Sequence, residues 1–305
     1  MILAVDVGGT YIRTGVIDKK GSLISFKKNR IAEVIKAEEG NQVIHQLADY
    51  LQDAMKEPGV LSNIEHICLG VPSIIAKDRD YILNSPNVPA LQDIALKSIL
   101  EKTLGKTVSV ENDVNLSTLG EYTVLDHETY RNVIGIFIGT GIGCGLILNG
   151  TLFTGATNLA AEFGHLPTRV TGKRLQCNCG LYDCIEVWAS GSYFEREMRK
   201  AGREDEIPYV FVNHEIDPLK NLIVETFFDY LSFGLYTLNS LLNPNLFIFG
   251  GGVVNMEGFP KERLLNLPYG RLRHPSIAES LETKFAILGD KAFIYGALEY
   301  YANHS

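Results

Sequence analysis

Four residues of two metal-binding types lie close together in the sequence. They are His165, Cys177, Cys179 and Cys184. One imidazole and three thiolates complete the tetrahedral coordination of Zn²⁺, and a site with four protein ligands is structural because it has no open position. Buried free cysteines and a redox pair are the alternatives, and the spacing differs from that of ordinary zinc fingers. We predict a structural Zn²⁺ site in the segment 165–184.

Two glutamates flank this cluster. Glu162 lies three residues before His165, and Glu186 lies two residues after Cys184. A metal ion in the cluster would fix the loops that carry both carboxylates. Carboxylates held in this way are suited to accept hydrogen bonds from sugar hydroxyls.

Three glycine-rich turns each follow a hydrophobic stretch that is typical of a strand. The first glycine turn is Gly8, Gly9 and Thr10; the second is Gly139, Thr140, Gly141, Ile142 and Gly143; the third is Gly250, Gly251 and Gly252. Without side chains, the backbone N–H groups of such a turn can approach phosphate oxygens closely. Any one of them could be an ordinary tight turn, but three at strand ends favour a nucleotide site.

The two common glycine fingerprints for nucleotides are not matched. A P-loop that ends at Gly105 needs a glycine where Leu100 stands, and the dinucleotide motif needs one where Leu146 stands. The sequence therefore supports neither a P-loop NTPase nor a Rossmann dehydrogenase.

Two aspartates end predicted strands. Asp6 precedes the first glycine turn, where a carboxylate could hold Mg²⁺, directly or through water, beside phosphates. Asp113 could accept a hydroxyl proton while its neighbour Asn112 orients the alcohol. Each has a structural alternative: Asp6 could bond the amides of the turn, and Asp113 could cap the following helix.

Strands that alternate with helices must position these residues. Two similar hairpins, near Ile2 and Ile134, suggest a duplicated architecture with one hairpin per lobe, although glycine hairpins are common enough to recur by chance. Apolar residues at every fourth position over 43–55 predict an amphipathic helix, and 222–242 predict a long apolar one. Such alternation indicates an α/β fold. We expect the two lobes to share a hinge near Asp113.

Composition limits the class of protein. The chain has 305 residues, a hydrophobic content of 46% and a net charge of −8, which is enough apolar material for two domains. The sequence has no run of basic residues of the kind that binds nucleic acid or an anionic membrane surface. No apolar stretch approaches the roughly 18 residues of a membrane span. The opening MILAVDVGGT is too short an apolar run for a signal peptide. We expect a cytoplasmic protein with neither nucleic acid nor membrane as a partner.

These motifs, in this order, resemble those of the ROK family, the repressors and sugar kinases of the actin-like ATPase clan. The matching segments are 6–10, 111–113, 139–141, 162–165, 177–186 and 250–252. The resemblance implies a two-lobed, ribonuclease H-like α/β fold in which each lobe is a mixed sheet flanked by helices. ATP and a sugar would meet in the cleft. We expect an N-terminal lobe of residues 1–112 plus 290–305 and a C-terminal lobe of residues 113–289.

Family roles transfer to the matching positions of this sequence. They make Asp113 the catalytic base. The expected sugar contacts are Asn87, Asn112, Asp113, Glu162, His165 and Glu186. His165 would contact both Zn²⁺ and the sugar, while Asp6 and the three glycine turns would bind ATP with Mg²⁺.

Three departures from the family pattern bear on the substrate. The glycine usual after Pro72 is Ser73, the tryptophan usual shortly after Asn87 is missing, and the glycine usual before the last cysteine is Asp183. The first two weaken a glucokinase interpretation, because they lie where the hexose is expected. The segments most similar to the D-allose kinase branch are 31–35, 70–78 and 85–89. The resemblance thus implies phosphorylation of an aldohexose at O6, with D-allose as the expected substrate.

Other functions within the family stay open. They are a glucokinase, an N-acetylhexosamine kinase and a fructokinase. A sugar-responsive transcriptional regulator without enzymatic activity would need a DNA-reading domain, usually ahead of the sugar-binding part, whereas here Met1 leads directly into the first strand. We therefore expect an enzyme, an ATP-dependent hexose kinase. Family members often pair, which implies a homodimer.

Overall fold

The structure is a computed structural model that describes residues 1–37, 40–56, 64–168 and 174–304. The chain divides into two compact units. The first unit comprises Met1–Leu125, Leu152–Ala160 and Asp290–Ser305, and the second comprises Asp126–Thr151 and Ala161–Gly289. Each unit has its own hydrophobic core. Part of the predicted Zn²⁺ segment, residues 169–173, lies outside the described residues.

A mixed five-stranded sheet is the centre of the first unit. Its strands and those of a small second sheet are β1 (Ile2–Val7), β2 (Tyr11–Ile17), β3 (Leu23–Arg30), β4 (His66–Val71), β5 (Ile74–Ile75), β6 (Tyr81–Asn84), β7 (Ile94–Ala95) and β8 (Thr107–Asn112). The large sheet has the order β3-β2-β1-β4-β8, and the small one β5-β6-β7. β1 pairs antiparallel with β2 and parallel with β4, which in turn runs parallel to β8. Every residue of β1 and β4 is buried, as expected for central strands covered on both faces.

The helices of the first unit that precede residue 126 include the predicted amphipathic helix. They are α1 (Ile31–Val34), α2 (Gly40–Met55), α3 (Leu96–Leu104) and α4 (Asp113–Tyr122), with a 3-10 helix at Pro89–Leu91. Val43, Leu47 and Leu51 of α2 are fully buried, so the four-residue spacing marks the face that packs on the core.

The second unit repeats this arrangement of strands. Its strands are β9 (Val133–Ile138), β10 (Ile142–Leu148), β11 (Thr151–Leu152), β12 (Leu246–Gly250) and β13 (Glu282–Phe285), in the order β11-β10-β9-β12-β13. β9 pairs antiparallel with β10 and parallel with β12, just as β1 pairs with β2 and β4. The repeated hairpin thus corresponds to a repeated sheet topology.

Helices of the second unit vary widely in length. They are α5 (Gly191–Lys200), α6 (Pro218–Leu242), α7 (Lys261–Asn266) and α8 (Ser276–Ser280), with 3-10 helices at Phe163–His165, Ile185–Val187, Glu204–Tyr209, Val253–Asn255 and Leu267–Arg271. The long apolar helix is α6, which begins after the N-cap residue Asp217. It ends before the C-cap residue Asn243, whose backbone is in the left-handed conformation. None of the helices in the described part of the chain combines the length and apolar character that a bilayer crossing requires.

A close helix crossing fixes α4 in the first unit. The last helix, α9 (Ala292–His304), follows a 3-10 helix at Gly289–Lys291. A Cβ added to Gly120 of α4 would lie 1.9 Å from the carbonyl oxygen of Ala292, and one added to Gly296 of α9 would lie 1.9 Å from that of Leu116. The two backbones therefore meet at glycines, which no larger residue could replace without separating the helices.

The predicted lobe boundaries differ from the limits of these units. The sequence places residues 113–289 in one lobe, whereas Asp113–Leu125 and Leu152–Ala160 belong to the first unit. The reason for the first difference is the packing of α4 on α9. The segment 152–160 is held by side-chain bonds to the turn between β5 and β6, among them Asn158 Nδ2 to the carbonyl oxygen of Ala76 at 2.8 Å.

Candidate functional site

The junction of β8 and α4 positions Asn112 and Asp113. Asn112 is the N-cap residue: its Oδ1 accepts the backbone N–H groups of Val114 at 2.9 Å and Asn115 at 3.2 Å. The capping role that the sequence allowed for Asp113 therefore belongs to Asn112. Asp113 is the first residue of the helix, where the positive end of the helix dipole favours a carboxylate.

The carboxyl of Asp113 is tuned toward neutrality. Loss of hydration and, after it, the nearby Asp6 carboxylate raise the pKa of Asp113 to about 7. The backbone N–H of Val114 and the charge of Arg13 act in the opposite direction. A pKa near the pH of the cell is what a general base needs, because the group is then partly ionised and still basic.

Asp6 lies at the end of β1 within a small cluster of charges. Arg13 Nη1 donates to Asp6 Oδ2 at 2.5 Å, and Arg13 Nη2 lies 3.1 Å from Asp290 Oδ1. Lys28 Nζ lies 2.7 Å from the other oxygen of Asp290. Burial raises the pKa of Asp6, and Arg13 partly offsets this effect. Arg13 is not among the residues predicted from the sequence, although an arginine inside the mostly apolar strand YIRTGVI was an available signal.

The first glycine turn lies beside Asn87. A Cβ added to Gly9 would lie 3.0 Å from the carbonyl oxygen of Asn87. The structure thus brings the predicted sugar contact Asn87 to the turn predicted to bind nucleotide. The nearby departure Ser73 also has a structural account: its hydroxyl donates to Ser85 Oγ at 2.8 Å, and both serines are buried.

The four candidate metal ligands converge in the second unit. One ligand atom from each of His165, Cys177, Cys179 and Cys184 lies within 4.8 Å of all the others. Cys177 Sγ is 3.6 Å from His165 Nδ1, and Cys179 Sγ is 3.7 Å from Cys184 Sγ. Around a tetrahedral Zn²⁺ the corresponding distances would be about 3.5 and 3.8 Å. The sulfur separation is far too long for a disulfide, whose S–S bond is about 2.0 Å. The donor set and spacing therefore fit Zn²⁺.

The loop that presents these ligands is built from tight turns. The N–H of Gly180 donates to the carbonyl oxygen of Cys177 at 2.9 Å, and isolated bridges pair Pro167 with Cys184. Asp183 has a φ of 59°, which explains why glycine is usual at that position in the family. Its Oδ1 accepts the N–H of Leu175 at 2.9 Å, a bond that compensates for the left-handed backbone.

The two glutamates contact the cluster on different sides. Glu162 Oε2 lies 3.7 Å from His165 Nε2, the ring nitrogen that does not face Cys177. A carboxylate beside the second nitrogen of a metal-bound histidine is the usual way to fix its ring. Glu186 Oε1 lies 3.8 Å from Cys177 Sγ.

Glu186 also contacts the second glycine turn. Its Oε2 accepts the N–H of Ile142 at 3.1 Å, and a Cβ added to Gly141 would lie 2.3 Å from the same oxygen. Further bonds join the N–H groups of Gly191 and Ser192 to the carbonyl oxygens of Gly139 and Thr140 at 2.7 and 3.0 Å. Glu186 therefore links the candidate metal ligands to this turn.

The second and third glycine turns meet at the ends of neighbouring strands. β9 and β12 are parallel, with Gly250 opposite Phe137, so both turns leave the same edge of the sheet. A Cβ added to Gly251, whose φ is 96°, would lie 2.3 Å from the carbonyl oxygen of Ile138. In the second unit the structure thus brings together two of the three turns predicted for nucleotide.

This combination of repeated mixed sheets, glycine turns and a strand-end aspartate defines an α/β protein of the two-lobed, actin-like ATPase class, as predicted. The model of the ROK family matches residues 2–303, and the chain belongs to that family. The chain is 30% identical over 308 residues to an N-acetyl-D-glucosamine kinase of Yersinia enterocolitica, covering 97% of this chain and 98% of the relative.

Solved structures agree with this assignment. A ROK hexokinase from Thermus thermophilus has 30% identity and a TM-score of 0.79, with 99% of this chain and 98% of the other covered. A ROK family glucokinase from Streptomyces griseus, in complex with glucose and AMPPNP, has 27% identity and a TM-score of 0.77, with 98% of both chains covered. The fold class predicted from the sequence is confirmed.

Proposed function

We propose that this protein is an ATP-dependent hexose kinase that phosphorylates its sugar at O6, with Asp113 as the general base. The observation that carries the proposal is the position of Asp113 at the start of α4, with a pKa raised to about 7. The membership of the ROK family and the sugar-kinase names of relatives support the reaction class. Phosphoryl transfer depends mostly on alignment and charge neutralisation, which a fixed carboxylate serves well.

Asn112 would orient the sugar hydroxyl. Its side-chain oxygen is engaged by two backbone N–H groups of α4, so its Nδ2 is the atom that can donate to an alcohol. Asp113 would then accept the proton of the 6-hydroxyl group as the phosphoryl group is transferred. Asn87, Glu162, His165 and Glu186 complete the proposed set of sugar contacts.

The nucleotide would bind as Mg-ATP at Asp6 and the three glycine turns. Arg13 donates to Asp6 Oδ2, so Asp6 Oδ1 is the oxygen that would bind Mg²⁺ or one of its water ligands. A carboxylate oxygen is the kind of ligand that Mg²⁺ prefers. The metal supplies charge neutralisation for the phosphates, while the N–H groups of the turns hold them in place.

Zn²⁺ is the metal we propose for the His165, Cys177, Cys179 and Cys184 cluster. Three sulfurs and one imidazole nitrogen are a typical structural Zn²⁺ set, and the spacing of the donors fits it. With His165 Nδ1 toward the metal, its Nε2 side is left to Glu162 and the sugar. The metal would therefore order sugar contacts without taking part in the reaction.

Two sets of observations favour different sugars as the substrate. The resemblance of three segments to the D-allose kinase branch favours D-allose, which would give D-allose 6-phosphate. The names of the relatives favour N-acetyl-D-glucosamine or glucose instead. Ser73 Oγ is already bonded to Ser85, so this departure adds no free hydroxyl for an epimeric sugar. D-allose is the first candidate substrate and an N-acetylhexosamine is the second, followed by glucose and fructose.

A coupled ADP-release assay tests the proposal. The zinc-replete protein is given Mg-ATP and a panel of allose, glucose, mannose, N-acetylglucosamine, N-acetylmannosamine and fructose. We expect kcat/KM for allose to exceed that of every other sugar by at least about tenfold, the scale of a 1.4 kcal/mol difference in transition-state binding. Preference for another sugar would contradict only the proposal of D-allose as the substrate. If no sugar on the panel is turned over, the proposed kinase activity itself is contradicted.

The homodimer and the cytoplasmic location stay predictions. α6 exposes Leu222, Phe233 and Leu241 at 64%, 42% and 75%, and these side chains would suit a contact between two copies. Light scattering at micromolar concentration should give twice the chain mass of 33.8 kDa. A mass of one chain at all concentrations would contradict the homodimer.

A further inference from the structure

A buried glutamate lies directly before Asn112 and Asp113. Glu111 is 1% exposed, and its Oε1 accepts two hydrogen bonds. One comes from the backbone N–H of Asn112 at 2.8 Å and the other from Nδ2 of Asn115 at 2.9 Å. A single carboxylate oxygen therefore ties the N-cap residue to the first turn of α4.

The other oxygen of Glu111 is held by an arginine from outside the motif. Arg79 Nη1 donates to Glu111 Oε2, and Arg79 Nη2 donates to Thr154 Oγ1 at 3.2 Å. The guanidinium lies 5.7 Å from the centre of the Tyr300 ring in α9. Arg79 is thus fixed at three points, and each point lies on a different segment of the first unit.

The backbone of Arg79 indicates that this placement is enforced. Its φ is 60°, a left-handed conformation that few residues other than glycine adopt. Its N–H closes the turn between β5 and β6 by donating to the carbonyl oxygen of Ala76 at 2.9 Å. Unusual backbone of this kind persists only where the surroundings over-determine it, and it is frequent near functional sites.

We propose that Arg79 is a positioning residue for the phosphoryl transfer: through Glu111 it fixes the orientation of Asn112 and Asp113. The inference rests on the proposed role of Asp113 as base. Misplacement of a catalytic group by about 1 Å can cost a factor of about 10² in rate. The planar guanidinium can hold Glu111 and Thr154 at once, whereas a lysine ammonium lacks this fork geometry.

The alternative is that Arg79 only neutralises the buried charge of Glu111. A double substitution separates the two roles. Arg79→Met alone leaves a buried carboxylate without its partner, which should lower the melting temperature. Arg79→Met with Glu111→Gln removes the charge, so the melting temperature should recover. If Arg79 positions the base, kcat stays low in the double variant; if Arg79 is only a neutralising partner, kcat recovers with stability.

We would measure kcat and the KM values for sugar and ATP in Arg79→Met, Arg79→Lys and the double variant. We expect kcat to fall about 10- to 100-fold in Arg79→Met and in the double variant, with the KM for ATP changed less than threefold. Arg79→Lys should recover only part of the loss. A further variant, Arg79→Ala, keeps the test usable if Arg79→Met folds poorly: millimolar guanidinium should restore activity to Arg79→Ala and not to Arg79→Lys.

The second unit offers a control pair of the same residue types, although it is more exposed to solvent than Arg79 and Glu111. Arg263 binds both oxygens of Glu225, at 2.6 and 2.7 Å, and its guanidinium lies 4.1 Å from the centre of the Phe228 ring. Because the side chains of Arg263 and Glu225 are 35% and 47% exposed, Arg263→Met should change the melting temperature little and leave kcat within twofold. A double variant of Arg79 and Glu111 with wild-type kcat overturns the inference. If Asp113→Asn itself keeps wild-type kcat, the proposed function fails first.

Discussion

Replacing Asp113 by asparagine should lower kcat by about 10²- to 10⁴-fold, the contribution typical of a general base. The amide keeps the shape of the side chain but cannot accept the proton of the sugar hydroxyl. The loss should appear in kcat at saturating Mg-ATP and sugar, in the same coupled assay that measures substrate preference. Calorimetric titration of the sugar should show its affinity changed by less than about tenfold, because Asn112 and the other contacts remain.

The pH dependence of this pair of proteins gives an independent measurement. Wild-type kcat should rise with pH, with a midpoint near pH 7 and a plateau above about pH 8, since the base acts only when its carboxyl is ionised. The residual activity of Asp113→Asn should lack this step. A wild-type profile that is flat between pH 5.5 and 8.5 would contradict the assignment of Asp113 as base.

Stability should change in the opposite direction to activity. The pKa of Asp113 rises from an ordinary 3.8 to about 7 on folding, so the folded protein binds the proton more tightly than the unfolded chain. Between about pH 4 and pH 7, this carboxyl therefore makes the free energy of unfolding fall as pH rises. The cost is at most about 4 kcal/mol above pH 7. Asp113→Asn should consequently melt at a higher temperature than the wild type at pH 8, and a lower one would mean that lost activity reflects damage to the fold.

The parts of the site that the sequence predicts are those formed by short stretches of chain. The four candidate metal ligands lie within 20 positions, so residue type and spacing alone indicate their chemistry. The glycine turns follow apolar runs that become central strands, and the hairpin repeats in both sheets. In each case a local pattern carries the information, because the geometry of a turn or a strand depends on few residues.

The parts that the sequence does not predict depend on distant contacts. Arg79 and Glu111 are 32 positions apart, and nothing in the turn KDRD indicates which carboxylate the arginine meets. The limits of the units depend on Gly120 and Gly296, whose role is visible only when α4 and α9 are seen to cross. The sequence shows that Ser73 departs from the family pattern, but it does not predict the hydrogen bond from Ser73 to Ser85. Choice of sugar epimer belongs to the same class, because it depends on several loops at once.

Loss of one cysteine from the metal cluster should have the second large effect. Cys184→Ser removes one of four ligands, and its serine oxygen is a poor substitute for thiolate toward Zn²⁺. Zinc content, measured by mass spectrometry of purified protein, should fall from about one per chain to a small fraction of that. The melting temperature should fall as well, because binding energy at a structural site is part of the folding free energy.

The contacts of the cluster predict which function fails with it. Cys177 lies against Glu186, and His165 lies against Glu162, so both proposed sugar carboxylates lose their support together. Loss of the residues that support a metal site typically lowers metal affinity or activity about 10- to 100-fold. We expect the KM for the sugar to rise by a factor in the same range. Glu186 also binds the second glycine turn, so the KM for ATP should rise too, though less.

Cys144→Ala is the matched control, since Cys144 is a buried cysteine of β10 in the same unit but outside the cluster. It should keep its zinc and its KM values, even if some stability is lost. Zinc retained at full content in Cys184→Ser would contradict the four-ligand site. Zinc lost with an unchanged sugar KM would mean that the metal only stabilises the loop. Glu162 and Glu186 would then be held by the protein alone, through bonds such as that from the N–H of Ile142 to Glu186.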